Sequence, residues 1–391
     1  MAPTPSLDPV QSVLTAFVDR GVLPGAVAVV ERAGTTSWTV EGAQSNGGLP
    51  MRRDSIFRLD SVTKVIAAVG AMVLVEDGLL RLDEPIDGWL PELARRPVLR
   101  RIDGPLDDVV PADRPITTRD LLTMRMGLGY IMEPSRDWPI QRAVDASGLM
   151  PGPPRPDRAP APEAWIARVA SLPLMRQPGD QWMYDISMDV LGMLMERASG
   201  MALPVLLARR LFEPLGMRDT AFHVPTAKWS RFTSAYVVEA SGALAVHDAA
   251  EESAWASPAF PSAANGLVST AEDLLAFARM LLAGGEHAGE RILSTDSIHA
   301  MAHDEIPAAQ KARSPFFPGF WDTRGWGLGV SVVTAPLDET PAGRVGWDGG
   351  LGTSLYVDPA AGTLGILLTQ RMDLRGAEDV NGAFWRAAYR L

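Results

Sequence analysis

The sequence predicts an α/β (α+β) fold, with an antiparallel sheet flanked by helices and a second, mostly helical lobe. Two observations support this prediction. Strand-like stretches separated by glycine turns lie near both ends of the chain, and the middle carries the apolar spacing of amphipathic helices. This order is expected when both chain ends build one lobe and a second lobe is inserted between them. We therefore expect an α/β lobe from residues 1–82 and 230–391, and a helical lobe from residues 83–229.

The N-terminal part predicts a helix, a hairpin and a second helix. Apolar residues at helical spacing predict the first helix over residues 8–21. The stretch "GAVAVVERAG" predicts a buried strand that ends in a turn, and "TTSWTVEGA" predicts its hairpin partner. The apolar run after Ser61 predicts a helix that ends at Asp77-Gly78, because glycine readily takes the left-handed conformation that ends many helices.

The middle of the chain predicts helices on either side of a proline-rich loop. The stretch "ITTRDLLTMRMGLGY" predicts a capped helix that stops at Gly127. Residues 151–162 hold six prolines in twelve positions, which is typical of a surface loop or linker. Residues 163–217 predict three helices, the second of which ends at Gly200.

The C-terminal part predicts strands with one long helix among them. The stretches "RFTSAYVVE" and "GALAVHD" predict strands, and "STAEDLLAFARMLLAGG" predicts a helix with Thr270 as its N-cap. The last ninety residues alternate glycine turns with β-rich runs, which predicts consecutive antiparallel strands. The final stretch, "VNGAFWRAAYRL", predicts a closing helix.

The composition limits the classes of function. The chain has 391 residues and a formal net charge of −11, which argues against nucleic acids and anionic membranes as partners. It has no cysteine, so disulfides, cysteine nucleophiles and thiolate metal sites are excluded. The chain contains no run of about 18 apolar residues, so we expect no membrane span. The first residues lack a signal-peptide pattern. We expect a soluble, cytoplasmic protein, although an exported protein already trimmed would look the same.

The tetrapeptide Ser61-Val62-Thr63-Lys64 stands at the start of the second predicted helix. Only three of the 36 basic residues are lysines (Lys64, Lys228 and Lys311), and a lysine, unlike an arginine, can lose its proton. Lys64 would lie on the same helix face as Ser61, and partial desolvation would lower its pKa. A neutral lysine could then activate the serine without a histidine. On the tetrapeptide alone, a capping serine beside a solvated lysine is the commoner arrangement.

Six longer blocks set this tetrapeptide in a wider pattern. They are "FRLDSVTKVIAAVGAMVLVEDGLLRLDEPIDGWLPEL", "ITTRDLLTMRMGLGY", "QPGDQWMYDISMDVLGMLMERASGM", "FEPLGMRDTAF", "NGLVSTAEDLLAFARMLLAGG" and "GWDGGLGTSLYVDP". In their order and spacing the chain resembles serine hydrolases with the class C β-lactamase and penicillin-binding-protein fold, most closely the family VIII carboxylesterases. The resemblance covers most of residues 20–370. It implies a β-lactamase-like fold and an acyl-enzyme.

The resemblance also implies which residues carry the chemistry. The family's first motif falls on Ser61 and Lys64, as nucleophile and general base. Its second motif falls on Tyr184, in "PGDQWMYDIS", and in the family this tyrosine relays the proton to the leaving group. A phenol near a lysine ammonium has a lowered pKa and can shuttle protons. Taken alone, Tyr184 would more commonly be a core tyrosine with a bonded hydroxyl.

The third motif of the family falls on Trp347, Asp348 and Gly349. A strand beside the nucleophile would present a backbone N–H to the acyl oxygen. The N–H of Ser61 is the expected first oxyanion donor and that of Gly350 the second, each typically worth about 3 kcal/mol in the transition state. As a tetrapeptide, "WDGG" is also compatible with a simple hairpin turn.

Departures from the β-lactamase pattern favour esters as substrates. Ile186 stands where β-lactamases carry an asparagine, Asp348 replaces the usual threonine or glycine, and Trp347 supplies no cation for a substrate carboxylate. We expect Trp347, together with Trp182 or Tyr130, to line the acyl or alcohol pocket. The expected function is a cofactor-free serine carboxylesterase for small esters with short to medium acyl chains, and the expected partner is a small-molecule ester.

Other functions remain open at this stage. The same acyl-enzyme would serve a β-lactamase, a D-peptidase-like amidase, an acyltransferase or a non-catalytic β-lactam sensor. An α/β-hydrolase triad is disfavoured because no Gly-x-Ser-x-Gly occurs. No His-Glu-x-x-His occurs either, so no metal site is expected. The oligomeric state is left open. The five histidines lie outside the matching blocks (His223, His247, His287, His299 and His303).

Overall fold

The computed structural model describes residues 8–130, 137–149, 153–337, 340–373, 376 and 378–391. Its helices are α1 (Pro9–Asp19), α2 (Thr63–Glu76), α3 (Thr118–Leu122), α4 (Pro139–Ser147), α5 (Pro162–Ser171), α6 (Ile186–Ser199), α7 (Leu203–Leu207), α8 (Glu213–Leu215), α9 (Ala271–Leu282), α10 (Thr295–Met301), α11 (Ala308–Lys311), α12 (Phe320–Thr323) and α13 (Val380–Ala388). Its strands are β1 (Gly25–Arg32), β2 (Thr35–Gly42), β3 (Phe57–Arg58), β4 (Pro97–Leu99), β5 (Val109–Pro111), β6 (Ala235–Val238), β7 (Leu244–Asp248), β8 (Val268–Ser269), β9 (Glu286–His287), β10 (Glu290–Arg291), β11 (Arg324–Trp326), β12 (Ser331–Val333), β13 (Val345–Gly349), β14 (Thr353–Asp358), β15 (Thr363–Leu368) and β16 (Arg371–Met372).

The two ends of the chain build one seven-stranded sheet. Its strand order is β11-β12-β13-β14-β15-β1-β2, and each neighbouring pair is antiparallel. The N-terminal hairpin joins the C-terminal strands through β1 and β15, where Val27 pairs with Leu368. The predicted antiparallel sheet flanked by helices is therefore confirmed.

Alternate residues of β1 enter two different cores. Val27 and Val29 pack in the large core that includes α2 and α9, whereas Ala28 and Val30 pack with α1 and α13. Successive side chains of a strand point to opposite faces, so a run of small and β-branched apolar residues predicts a strand covered on both sides. Helices cover both faces of this sheet, and β14 and β15 are buried along their whole length.

The central part of the chain is mainly helical. Helices α3 to α8, with the short hairpin of β4 and β5, lie within residues 83–229. Helix α6 packs against α2, α3 and α7 in the large core. Of the described helices, no single one is long and apolar enough to cross a membrane. Among them, only the bent pair Ile186–Ser199 and Leu203–Leu215 reaches that length and hydropathy, when its two helices are taken together.

Several predicted boundaries agree with the structure. Helix α2 ends at Glu76, and Gly78 follows with a φ of 74°. Helix α6 ends at Ser199, before the left-handed Gly200. The predicted strands after residue 230 form β6 and β7, and β16 pairs with β6 to complete a separate three-stranded sheet. Residues 151 and 152 of the predicted proline-rich loop lie outside the described residues.

The helix predicted to reach Gly127 is shorter than expected. A capping box between Thr117 and Asp120 starts α3 as the sequence indicates, but the helix ends at Leu122. Met124 has a φ of 53°, which no α-helix accommodates, so the chain turns there and returns toward the site. The apolar residues after this point are buried in the large core without forming a helix.

The N-cap of α9 provides a test of this local structure. Thr270 Oγ1 accepts the N–H of Asp273 at 3.2 Å. Removal of an N-cap hydroxyl typically costs about 1 kcal/mol. We expect Thr270→Ala to lower the free energy of unfolding by about that amount in urea titrations. Thr35→Ala, at an exposed position of β2, should change it by less than ~0.5 kcal/mol. Equal effects of the two variants would contradict the capping role.

Candidate active site

The candidate nucleophile, Ser61, lies in a 3-10 turn, Asp60–Val62, directly before α2. The residue is 7% exposed and lines a pocket. Thr353 Oγ1, on β14, donates to the carbonyl of Leu59 at 2.7 Å and ties the start of the turn to the sheet. The turn places the Ser61 hydroxyl beside Lys64, as the sequence spacing predicts.

Lys64 is completely buried and makes three polar contacts. Its Nζ lies 2.9 Å from Ser61 Oγ, 2.9 Å from the carbonyl oxygen of Ala264 and 2.6 Å from Asp185 Oδ1. An ammonium group has three N–H donors and no acceptor. The three contacts therefore match a protonated lysine.

These contacts reverse the expected shift of the Lys64 pKa. Burial alone would lower it, but the carboxylate of Asp185, with smaller contributions from Tyr184 and Asp60, outweighs burial and raises the pKa above the usual lysine value. The predicted lowering of this pKa is wrong, because the sequence spacing indicated desolvation but not the buried carboxylate. The three acceptors around Lys64 Nζ agree with this direction.

Asp185 reaches Lys64 from a strained backbone position. It precedes α6 with a φ of 92° and a ψ of −64°, where a residue with a side chain is rarely found. Such strain persists only where the surrounding structure enforces it, and it is concentrated at functional sites. The strain therefore belongs to the arrangement that holds this carboxylate on Lys64.

The Tyr184 hydroxyl connects the nucleophile to the third motif. It donates to Ser61 Oγ at 2.8 Å and accepts the indole N–H of Trp347 at 2.9 Å. Burial raises the Tyr184 pKa despite the nearby Lys64 ammonium, so the phenol keeps its proton at neutral pH. The predicted lowering of this pKa is also wrong. The backbone N–H of Tyr130 donates to the Tyr184 carbonyl at 2.7 Å and fixes the segment.

The third-motif residues occupy the end of β13 and the turn that follows. Trp347, Asp348, Gly349 and Gly350 all line the same pocket as Ser61. The Asp348 carboxylate points to neighbouring polar groups and accepts hydrogen bonds from Ser354 Oγ at 2.6 Å and Tyr356 OH at 2.9 Å.

The turn after β13 contacts the Asp60 carboxyl. The N–H of Leu351 donates to Asp60 Oδ2 at 3.1 Å, and the N–H of Gly350 also bonds to this carboxyl. The prediction that Gly350 is an oxyanion donor stays a prediction.

A cavity of about 420 Å³ opens above these groups. Its lining combines aromatic rings with Ser61 and the polar groups around it. Tyr130 and Trp347 are among these rings, as the sequence predicts. The other aromatic residues of the lining are Tyr184, Phe316, Phe317 and Phe320. Such a pocket suits an apolar group held against a few polar atoms.

Trp182 does not line this cavity, so its predicted position is wrong. It is 2% exposed and lies behind Tyr184, with ring centroids 5.7 Å apart. Phe316 and Trp326 also pack on it, at 5.0 and 5.6 Å. Trp182 therefore packs behind the aromatic residues that line the cavity.

Sequence reasoning missed four polar residues of the site. Asp60 directly precedes Ser61, and Asp185 directly follows Tyr184. Their positions next to the motifs could have identified them as residues of the site. Asn265 and Arg324 also line the pocket. Asn265 begins a matching block, whereas no motif marks Arg324, which donates to Tyr356 OH at 2.6 Å.

The described residues do not support a metal centre. They hold no group of three or more histidine or acidic side chains placed to bind a metal ion. No histidine lines the cavity among the residues that the structure describes, and His247 instead contacts the carbonyl of Pro154 at 3.1 Å. The polar side chains that the described residues bring to the site are the serine, the lysine, the tyrosine and the carboxylates around them, together with Asn265 and Arg324.

Comparisons with known proteins extend over nearly the whole chain. A family model described as Beta-lactamase matches residues 10–389. Protein Rv1367c of Mycobacterium tuberculosis is 37% identical over 373 residues, which cover 93% of this chain and 90% of that protein. Esterase EstB of Burkholderia gladioli is 33% identical over 374 residues, which cover 89% and 86%. The solved structure of "EstCE1, a hydrolase with promiscuous acyltransferase activity" has a TM-score of 0.78 and 25% identity, with 97% of each chain covered.

The role of Lys64 can be tested by a substitution that keeps its charge. A guanidinium neither accepts nor releases a proton at working pH. We therefore expect Lys64→Arg to lose ester hydrolysis nearly as fully as Lys64→Ala, by on the order of 10³-fold in kcat/KM. Lys228→Arg is the control, because Lys228 pairs with Asp219 at 2.7 Å away from the site and should keep full activity. Substantial activity in Lys64→Arg would show that Lys64 acts only through its charge.

Proposed function

The chain belongs to the Beta-lactamase family, and on that premise we propose that it is a serine carboxylesterase. It would hydrolyse small esters with short to medium acyl chains through an acyl-enzyme on Ser61. The observation that carries the proposal is the convergence on one hydroxyl, since Lys64 Nζ lies 2.9 Å and Tyr184 OH 2.8 Å from Ser61 Oγ. The esterase name of EstB and the hydrolase title of EstCE1 support the same reaction class.

Lys64 and Tyr184 form the acid/base pair of this reaction. As Ser61 Oγ bonds to the acyl carbon, its proton passes to the Lys64–Tyr184 pair, with Lys64 as the general base that the sequence predicts. Tyr184 passes a proton on to the alkoxide that leaves as the ester C–O bond breaks. In deacylation the pair takes the proton of the attacking water, and a proton returns to Ser61 Oγ as the Ser61–acyl bond breaks. The pair therefore ends each half of the cycle with the protons that it had at the start.

The polar groups around the pocket favour esters over β-lactams and peptides. Ile186 is buried and cannot hydrogen-bond to the amide side chain of a β-lactam or peptide. Trp347 gives no cation for a carboxylate. Arg324 lines the pocket, but its guanidinium is held by Tyr356 OH at 2.6 Å and lies 3.8 Å from Asp348. An apolar ester leaves no substrate group unpaired at these positions.

An acyltransferase is the second candidate function. The printed title of EstCE1 combines hydrolase and acyltransferase activities, and an alcohol can resolve an acyl-enzyme in place of water. Adding a primary alcohol to the assay and measuring the ratio of transesterified to hydrolysed product separates the two activities.

Location and partners are also part of the proposal. We expect a cytoplasmic protein whose partner is a small ester, with no nucleic-acid or membrane partner. The net charge of −11 supports the lack of anionic partners. The absence of cysteine means that folding does not need an oxidising compartment.

The nucleophile can be identified by covalent labelling. An organophosphonate should add once, to the peptide that contains Ser61, and mass spectrometry should find the adduct there. Ser61→Ala should show no adduct and lose activity by ~10³-fold or more, as the removal of a nucleophile usually does. Ser187→Ala, a buried serine on α6, is the labelling control and should keep the adduct. An adduct on any other serine refutes the assignment.

Substrate class follows from the missing polar partners. Each unpaired buried substrate group costs ~1–3 kcal/mol, so two such losses amount to roughly 10²- to 10⁴-fold in relative specificity. We expect kcat/KM for a short-chain p-nitrophenyl ester to exceed that for nitrocefin by at least ~100-fold. Because p-nitrophenol is an activated leaving group, the comparison should be repeated with an ethyl or glyceryl ester. A better rate with the cephalosporin in both comparisons would favour the β-lactamase alternative.

A further inference from the structure

A second cavity adjoins the one that holds Ser61, and its volume is about 310 Å³. Asp185 lines both cavities, and its Oδ1 lies 2.6 Å from Lys64 Nζ. The second cavity therefore begins at a residue that contacts the lysine beside the nucleophile. The residues that the two cavities share are Pro153, Pro154, Asp185 and Asn265.

The two cavities differ in the groups that they offer to a ligand. Aromatic rings make up much of the lining of the first, whereas the second combines Trp165 and Phe260 with polar side chains. An apolar acyl chain suits the first cavity, and a group that forms hydrogen bonds suits the second. The polar residues of the second cavity are Arg155, Arg158, Asp185, Asp189, Ser262 and Asn265.

The charges around the second cavity favour a neutral ligand. Arg155 pairs with Asp157 at 2.9 Å, and Asp185 with Lys64. Arg158 is exposed to solvent. A charged ligand would therefore have to compete with ion pairs that already exist or with water. A hydroxyl group needs no charged partner, because it donates and accepts hydrogen bonds while remaining neutral.

Asp189 and Asn265 bring polar atoms without protein partners to this cavity. Asp189 Oδ1 accepts Ser262 Oγ at 2.7 Å and the N–H of Ala264 at 3.0 Å. Among the described residues, none donates to its Oδ2, and the side chain is largely buried. No described residue bonds to the side-chain amide of Asn265 either. A carboxamide has both donors and an acceptor, so it matches a hydroxyl group in either direction.

The backbone around Asn265 holds its amide at a fixed place. The Asn265 N–H donates to Ser262 Oγ at 3.1 Å, and the N–H of Gly266 donates to the Ser262 carbonyl at 2.9 Å. The preceding carbonyl, that of Ala264, accepts Lys64 Nζ at 2.9 Å. One turn thus carries both the Asn265 amide and a contact of the lysine beside Ser61. Side chains mounted in this way recognise a ligand with little loss of entropy.

We propose that the second cavity binds the alcohol part of the ester and that Asn265 is a specificity-determining residue for polyhydroxy alcohols. The proposal rests on the proposed function and names its substrate class, an apolar acid esterified to a neutral alcohol with further hydroxyl groups. The acyl chain occupies the aromatic cavity, and the ester carbonyl lies at Ser61. Asn265 hydrogen-bonds one hydroxyl of the alcohol, and Asp189 Oδ2 accepts another.

Glyceryl monobutyrate and propyl butyrate test the preference in the natural protein. The two esters share the acid and the number of carbon atoms in the alcohol, and differ by two hydroxyl groups. We expect kcat/KM to be roughly 5- to 10-fold higher for the glyceryl ester, the typical net effect of about one hydrogen bond. Because the hydroxyl groups also activate the leaving alcohol, this ratio is divided by the ratio of the two rates in alkaline hydrolysis.

Asn265→Leu removes the amide and keeps a side chain of similar size. We expect kcat/KM for the glyceryl ester to fall by roughly 5- to 10-fold and that for the propyl ester to change by less than about twofold. Asn265→Ala provides the same comparison if Asn265→Leu does not fold. Asn46→Leu is the control, since Asn46 is exposed and lines neither cavity, and it should keep the preference of the natural protein.

Two ethers measure binding without hydrolysis. Butyl glyceryl ether and butyl propyl ether carry the same two alcohol parts, but neither has an ester bond. The glyceryl ether should slow phosphonate labelling of Ser61 at a roughly 5-fold lower concentration than the propyl ether. This difference should disappear in Asn265→Leu.

Either of two results would overturn the inference: a corrected preference below about twofold in the natural protein, or equal losses for both esters in Asn265→Leu and Asn265→Ala. A variant that keeps the full preference would likewise remove Asn265 from the site. Failure of the proposed function is separable from these results. If the natural protein labels at Ser61 but hydrolyses no ester, the esterase proposal fails. The competition between the two ethers then still decides whether the second cavity binds a glyceryl group.

Discussion

The buried ammonium of Lys64 is the contact on which the site depends. Its three acceptors come from three separate parts of the chain: Ser61 in the turn before α2, Ala264 in the loop before β8 and Asp185 at the start of α6. A buried charge is tolerated only when it is paired and hydrogen-bonded. The side chain therefore joins the helical part of the chain to the sheet part at the nucleophile.

A cluster of aromatic rings gives this polar group a rigid boundary. Trp347 packs edge-on to Trp326 at 4.9 Å, and Trp182 lies behind Tyr184 at 5.7 Å. Rings at such distances stabilise one another through the apolar area that they bury and through edge-to-face contacts. Because the Trp347 indole also donates to Tyr184 OH at 2.9 Å, one ring serves both as pocket wall and as partner of the acid/base tyrosine. The position of the proton-transferring phenol is thus set by apolar packing as well as by hydrogen bonds.

The sequence predicted those parts of the structure that depend on local pattern. The strand period of β1, the glycine after α2 and the Thr270 cap were readable, because each depends on neighbouring residues. The helix predicted to reach Gly127 was too long, since a left-handed Met124 is imposed by tertiary packing and has no signature in an apolar run. The proposed split between residues 83–229 and the rest stays a prediction.

In the candidate site, too, residue spacing was predictable from the sequence, whereas side-chain orientation was not. The motifs that placed Ser61, Lys64 and Tyr184 near one another concern residue types at fixed spacing, and the structure brings these three side chains together. The direction of the Lys64 pKa depends on Asp185, whose strained backbone orients its carboxylate, and spacing alone does not reveal orientation. Trp182 was misplaced for a similar reason, because its neighbour Tyr184 reaches the pocket while Trp182 is buried behind it.

The charges in the site have a further consequence for its chemistry. Three carboxyls lie near one ammonium, and burial raises the pKa of Asp60 to about 6 and that of Asp189 to about 7. These raised values show how poorly the pocket tolerates additional negative charge. A substrate without an anionic group therefore suits this pocket better than an anionic one, in line with the proposed preference for neutral esters. Asp60 also has a structural part in the site, because its Oδ2 accepts the N–H of Leu351 at 3.1 Å and joins the turn before α2 to the turn after β13. The φ of 47° at Asp60 orients this carboxyl, so the strained turn helps to fix the nucleophile against the sheet.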